Sequence, residues 1–135
     1  MRRSILALVL AVAACSTSVT PAQRGGALSQ RGQDAAALAA FDEAVRQSPE
    51  SASAYAGRGV VRARLGDVDG AISDYGRARE LGAPADEVLF NRCQALISKR
   101  DYQGAIADFR AALAGETDPE QQQGLRNLLQ LLGTP

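Results

Sequence analysis

The sequence predicts an all-α protein: an α-solenoid of three helical hairpins followed by a C-terminal capping helix. Three observations lead there. First, residues 55–78 are said again 34 residues later, where Arg58 falls on Arg92, Asp67 on Asp101, Gly70 on Gly104 and Ala71-Ile72 on Ala105-Ile106. Asp74, Tyr75 and Ala78 likewise fall on Asp108, Phe109 and Ala112. A fainter copy lies the same distance upstream, with Arg24-Gly25 under Arg58-Gly59 and Gly32 under Gly66. A fixed period of this length belongs to stacked supersecondary units rather than to one irregular core. Second, the chain is 46% apolar but only 4% aromatic and much of the apolar share is alanine, which suits helices packed through small side chains and not strands. Third, Gly66-Asp67 stops one helix and starts another in two residues, since glycine takes the left-handed cap position and aspartate the N-cap.

The chain opens Met1-Arg2-Arg3 and continues with ten apolar residues, 5–14. That is half the length a membrane-spanning helix needs, so the run reads as the apolar part of a signal peptide. It ends Val12-Ala13-Ala14-Cys15, which resembles a bacterial lipobox. The resemblance implies that residues 1–14 are removed and that Cys15 becomes the first residue. It would carry a thioether-linked diacylglyceryl group and an N-acyl chain such as palmitate. An ordinary secretory signal cleaved near Ala13 or Ala14 is the alternative. Two or three acyl chains anchor stably, at about 0.8 kcal/mol per buried methylene. Without Arg2 and Arg3 the chain keeps 13 basic against 15 acidic side chains, a net charge of −2, so charge alone would not hold it to anionic lipid. Residues 15–20 form the lipidated cysteine and a tether; the five after Cys15 reach at most about 17 Å. Ser16 is not the acidic residue associated with inner-membrane retention. The expected location is therefore the bacterial envelope, facing the periplasm, with the outer membrane favoured.

Residues 21–51 form a degenerate first hairpin. Thr20-Pro21 is an N-cap followed by a first helical position. Gly25 and Gly26 weaken this helix by about 1 kcal/mol each. The next helix is expected over residues 34–47, with Ala37, Leu38, Phe41, Ala44 and Val45 on one face, before Ser48-Pro49 ends it.

Residues 52–85 and 86–119 are the two clear copies. In the first, Gly59, Gly66, Ala71, Tyr75 and Ala78 follow the spacing G-x6-G-x4-A-x3-[YF]-x2-A, which resembles the tetratricopeptide repeat. Tyr55 stands at the family's aromatic position in helix A, and Ala83-Pro84 near its closing proline. Leu89, Cys93, Arg100, Ala105, Phe109 and Ala112 hold the corresponding places in the next copy. The resemblance covers roughly residues 18–119 and implies a right-handed stack of hairpins, each with a helix A and a helix B. Independently, Gly59 against Ala71 and Cys93 against Ala105 are small where two helices cross, while Tyr75 and Phe109 fill between units. Arg100 replaces the turn glycine of the earlier copies, so its turn is expected to be strained or differently shaped. Arg58 with Asp74, and Arg92 with Asp108, could pair from helix A to helix B or could each be solvated.

Residues 120–132 are expected to form the capping helix. Asp118 would be its N-cap, Pro119 its first residue and Gln121 the capping-box partner. Leu125, Leu128, Leu129 and Leu132 make one face, either a lid on the last hairpin or a surface for a partner.

The chain has no histidine, the commonest general base and transition-metal ligand. Cys15 and Cys93 show no metal or redox spacing, and Cys93 stands where the repeat needs a small buried residue. No catalytic residue, metal site or cofactor is expected, and the chain is not read as an enzyme. Equal numbers of basic and acidic side chains, 15 each, give no ground for nucleic acid. The family resemblance implies protein binding in a concave groove. Its groove positions fall on Ala56, Val60, Ala63 and Arg64, then on Phe90, Gln94, Ile97 and Ser98, with Gly26, Ser29 and Gln30 from the first copy. Such a groove is small and apolar, fit for an apolar-faced helix or extended segment. It lacks the paired basic residues with which chaperone-binding members hold a C-terminal carboxylate. The expected function is a lipid-anchored, monomeric adaptor that binds another protein. The alternative is a structural subunit of an envelope assembly complex, using its convex or terminal faces.

Overall fold

The helix ends set the frame. The computed structural model describes residues 18–115 and 118–131, with the side chains of Gln121, Leu125 and Leu128 left out. Among the described residues it contains seven α-helices and no strand. These are α1 (Pro21–Gln30), α2 (Asp34–Gln47), α3 (Ala52–Arg64), α4 (Val68–Glu80), α5 (Ala85–Ser98), α6 (Tyr102–Gly115) and α7 (Pro119–Leu131). The apolar leader, Cys15 and Leu132 lie outside the described residues. Helices α1–α2, α3–α4 and α5–α6 pack as hairpins, α2 meets α3 and α4 meets α5 across the units, and α7 rests on α6. The result is an α-solenoid of helical hairpins.

Thr20 and Gln23 form a reciprocal capping box at α1: Thr20 Oγ1 accepts from the Gln23 N–H at 3.2 Å, and Gln23 Oε1 accepts from the Thr20 N–H at 3.0 Å. Asp67 and Asp101 each accept the N–H of the residue three further on, Gly70 and Gly104, at 3.0 Å. A Cβ at Gly70 would lie 2.1 Å from the Asp67 carboxylate, and one at Gly104 2.7 Å from that of Asp101. The recurring Asp-x-x-Gly is therefore one device: a carboxylate seated on backbone that carries no side chain.

Four helices end alike. The N–H groups of Gln33, Asp67, Ala83 and Asp101 reach back to the carbonyls of Leu28, Arg62, Ala78 and Leu96 at 2.9–3.0 Å. The residue before each donor is left-handed: Gly32, Gly66, Gly82 and Arg100, with φ of 73°, 88°, 88° and 61°. Arg100 thus keeps the turn's shape and takes the strain on itself, a conformation costing a side-chain-bearing residue about 1–2 kcal/mol.

The core is a row of three clusters, each closed by the following unit. Ala37 and Phe41 of α2 gather Val61 from α3. Ala71, Tyr75 and Ala78 of α4 gather Val88 from α5. Cys93, Leu96, Ala105 and Phe109 gather Leu129 from α7. Within the first two hairpins an aromatic ring of helix B sits on a small residue of helix A. A Cβ at Gly25 would stand 3.0 Å from the Phe41 ring and one at Gly59 2.7 Å from that of Tyr75. Gly25, expected to weaken α1, is thus buried and gives Phe41 its seat.

The same geometry separates two glycines that look alike in sequence. A Cβ at Gly57 would fall 2.4 Å from the tip of the Phe41 ring, whereas nothing lies within 4 Å of one at Gly76. Gly57→Ala is expected to lower stability by about 1–2 kcal/mol, overpacking outweighing the helix-propensity gain. Gly76→Ala should raise it by up to about 1 kcal/mol. Urea midpoints followed by circular dichroism check both. A Gly57→Ala chain as stable as the parent would show that Phe41 is not fixed there.

Candidate functional site

Arg24, Arg58 and Arg92 occupy one register position in the first helix of successive hairpins, and each reaches an acid on a second helix. Arg24 pairs with Glu43. Arg58 grips Asp74 with two donors, Nε to Oδ2 at 2.9 Å and Nη2 to Oδ1 at 2.8 Å. Its Nη1 donates to Asp42 of the preceding unit at 3.0 Å, and its guanidinium carbon lies 5.4 Å from the centroid of the Tyr55 ring. Arg62 adds a third bond to Asp74 at 3.0 Å. The hydrogen bonds to Asp74 raise the Arg58 pKa above its ordinary value against the cost of burial.

The third hairpin carries the same pair with less support. Arg92 Nε stands 3.4 Å from Asp108 Oδ2, and Arg79 Nη1 4.0 Å from Oδ1. Arg92 Nε and Asp108 Oδ2 are buried and find no hydrogen-bond partner among the described residues. The position that Arg62 holds in the second hairpin is Leu96 here. Burial pushes the Asp108 carboxyl up, with the Arg92 and Arg79 charges acting against it. Both arginine–aspartate pairs therefore meet within 4 Å, one of them fully hydrogen-bonded.

Two further ties join units. Arg64, at the end of α3, donates to Asp34 Oδ1 at 2.7 Å and to the Ser29 hydroxyl. Lys99, at the end of α5, pairs with Asp69 at the start of α4. Both run from the end of one helix A to the start of the preceding helix B, fixing how neighbouring A helices lie side by side.

Two open clefts border α5. The smaller, about 530 Å³, runs between α3 and α5 and is lined by Ala56, Val60, Gly57 and Ser53 on one side and by Pro84, Glu87 and Val88 on the other. The larger, about 750 Å³, lies between α5, α6 and α7 and is lined by Leu89, Phe90, Phe109 and Ala112, with Asp86 and Glu87 at its edge. Of the residues picked out from the sequence, Ala56 and Val60 line the first cleft and Phe90 the second. Ala63 packs on the Tyr75 cluster and Arg64 is engaged as described. Phe90 is 57% exposed and Ile97 37%, large apolar side chains left open to solvent. Gln94 and Ser98 are exposed on the same stripe of α5, where the Ser98 hydroxyl donates to the Ala95 carbonyl at 2.7 Å. From the first hairpin, Gly26 and Ser29 are partly buried and Gln30 is exposed. The larger cleft was not anticipated, nor were Asp86, Glu87 and Leu89 as residues that line it. Glu87 was within reach, since it lies one turn before Phe90 and in register with Ser53.

Cys93 is buried, and its thiol donates to the Ala105 carbonyl at 3.2 Å. Burial and the nearby Asp108 charge push its pKa up to about 12, so it is a thiol and not a nucleophile at neutral pH. Among the described residues no group of three or more Cys, Asp or Glu side chains could hold a metal ion. No described helix is long and apolar enough to cross a membrane.

A profile of the tetratricopeptide repeat matches residues 23–86 and 64–122. No curated protein matches the sequence. Among solved structures, the first TPR of Spaghetti (RPAP3), bound to the HSP90 peptide SRMEEVD, is similar at a TM-score of 0.71 and 20% identity, over 84% of this chain and 91% of that one. The Arabidopsis OM64 TPR domain gives 0.71 and 24%, over 82% and 91%. The TPR2B domain of yeast Sti1, in its pHsp70 complex, gives 0.70 and 21%, over 84% and 96%.

The unequal support of the two buried aspartates has a measurable consequence. Asp74→Asn leaves Arg58 and Arg62 facing a neutral amide and is expected to cost about 3 kcal/mol. Asp108→Asn should cost far less at neutral pH. The raised Asp108 pKa means the folded chain binds more protons than the unfolded chain between the ordinary 3.8 and the folded value. Stability from this group therefore falls as pH rises through that window. The Asp108→Asn variant should gain on the parent as pH goes from about 4 to 7, read from paired urea midpoints. A gap moving the other way would mean that Arg92 and Arg79 outweigh burial.

Proposed function

This chain belongs to the tetratricopeptide repeat family, and from that premise we propose that it is a protein-interaction adaptor, held at a membrane by lipid on Cys15. The observation that carries the binding reading is the stripe on α5, where Phe90 and Ile97 are exposed and Phe90 lines the larger apolar cleft. A large aromatic side chain left open next to a cavity is the kind of anchor on which interfaces concentrate their energy. Of the similar structures, the first TPR of Spaghetti (RPAP3) is bound to an HSP90 peptide and the TPR2B domain of yeast Sti1 is in a pHsp70 complex. The groove of this chain would take a helix or extended segment along α3 and α5, with Ala56 and Val60 under it and Phe90, Gln94, Ile97 and Ser98 beside it. A fold of this kind supplies a scaffold, and the function proposed is binding rather than catalysis.

The anchoring half of the proposal rests on Val12-Ala13-Ala14-Cys15 after a run of apolar residues. With α1 starting at Pro21, the groove would sit close to the bilayer, on the periplasmic side of the envelope, the outer membrane being favoured.

A second reading, a structural subunit of an envelope assembly, is favoured by Leu65 and Tyr102. They lie at the corners between helices A and B and are 48% and 47% exposed. Cross-linking in cells separates the two readings, one small client against a large stable assembly.

Phe90→Ala combined with Ile97→Ala is expected to weaken client capture from envelope extract by roughly 30-fold or more, the effect of losing about 2 kcal/mol at an anchor. Equal recovery of the same client by parent and variant would sink the groove. Cys15→Ser should move the protein from the membrane fraction to the soluble fraction and abolish incorporation of labelled palmitate. Parent protein that takes up no label is not lipidated.

A further inference from the structure

We propose that the larger cleft, between α5, α6 and α7, takes a peptide segment that sets an apolar side chain beside a basic one. The proposal rests on the groove reading above and gives it a ligand chemistry. The walls, Leu89, Phe90, Phe109 and Ala112, are apolar, and Gly115 and Gly124 leave room between them. About 750 Å³ accommodates one or two large side chains with their backbone.

The rim has one sign of charge. Among the described residues, Asp86 and Glu87 are the charged ones lining the cleft, and none is basic. Both carboxylates are exposed and neither enters an ion pair among the described residues. They lie in the first turn of α5, whose N-terminus offsets them by only about half a charge, so about 1.5 negative charges stay uncompensated. Of the cations on the flanking helices, Arg92 faces Asp108, Lys99 at the end of α5 pairs with Asp69 and Arg126 donates to Gln122, and neither these nor Arg110 of α6 line the cleft. Glu87 also borders the smaller cleft, so one carboxylate can read a segment passing from one cleft to the other. A lysine or arginine on that segment would gain charge-assisted bonds while its apolar neighbour fills the space beside Phe90. An acidic segment would meet like charge at the same rim. The SRMEEVD peptide on the similar first TPR of Spaghetti carries three acids and one base, the opposite balance.

The test selects a phage-displayed library of random peptides of about twelve residues on the purified chain, long enough to span both clefts if extended. A parallel selection uses Asp86→Asn combined with Glu87→Gln, two exposed substitutions that leave the core untouched. Peptides selected by the parent should place Phe, Leu, Ile or Met within a few residues of Lys or Arg. Those selected by the variant should keep the apolar residue and lose the basic preference. A selected peptide whose basic residues are changed to Glu should bind the parent at least about tenfold more weakly by fluorescence anisotropy. Enriched peptides with an acidic preference, or none, overturn the assignment of a basic partner and leave the groove standing. No enrichment, or enrichment indifferent to Phe90→Ala, overturns the groove as well.

Discussion

The structure depends on how an aromatic ring from helix B is seated on helix A. Phe41 lies on Gly25, Tyr75 on Gly59, and Phe109 shares its cluster with Cys93. At Gly25 and Gly59 the ring can rest because the residue beneath has no side chain, and on the same B helices Ala37, Ala71 and, in the third unit, Ala105 are buried completely, each at 0% exposure. Everything outside the seat follows from the resulting helix separation. Arginines on the same A helices can reach B-helix carboxylates, and each cluster projects far enough to be closed by the next unit. Tight packing makes the seat a geometric demand and not a preference, because interiors absorb even a methylene poorly.

Much of this was legible in the sequence, because the seat, the left-handed turn and the Asp-x-x-Gly cap each need particular residue types at fixed spacing. The bounds of α2 were readable from Asp34 to Gln47, since the apolar i, i+4, i+7 stripe and the Ser-Pro stop agreed. What the caps do in pairs was less legible: Gly70 and Gly104 repeat visibly, but only the Asp67 and Asp101 carboxylates seated on them explain why. The pairing of Arg58 with Asp74 could not be settled from spacing, because helix rotation decides whether residues sixteen apart face each other or water. Arg64 offered the same difficulty. It sits at a groove position by register, yet Asp34 and Ser29 hold it through contacts between residues 30 or more apart in sequence. The larger cleft was invisible to repeat logic. It exists because α7 reaches the last core cluster through Leu129 and leaves the space beside Phe90 open, an arrangement with no counterpart between earlier units.

The second and third hairpins share a plan but not its execution. Asp74 receives three hydrogen bonds from two guanidiniums, while Asp108 has arginines near it and one unsatisfied buried oxygen. Gly66 turns freely, while Arg100 makes the same turn at a cost. Leu96 stands where Arg62 would have completed the network, and adds apolar volume to the last cluster instead. Each change weakens polar closure in the third hairpin relative to the second. The middle unit is thereby held by more polar contacts than the third.

The third hairpin is also where the surface changes character. At the register positions where α3 has Ser53 and Ala56, α5 has Glu87 and Phe90, so a small neutral strip becomes an acid beside an exposed ring. Packing does not require either change, because Phe90 is more than half exposed and Glu87 faces solvent. In a repeat protein the shared residues are those that the stack needs for its own stability, and they recur for that reason alone. Departures that stability does not demand, gathered on one face and next to a cavity, need another cause. A single exposed apolar side chain is ordinary, but one set beside a cavity and an acid makes a patch of the kind that interaction sites use. The proposed binding would account for the ring, the acid and the open space together.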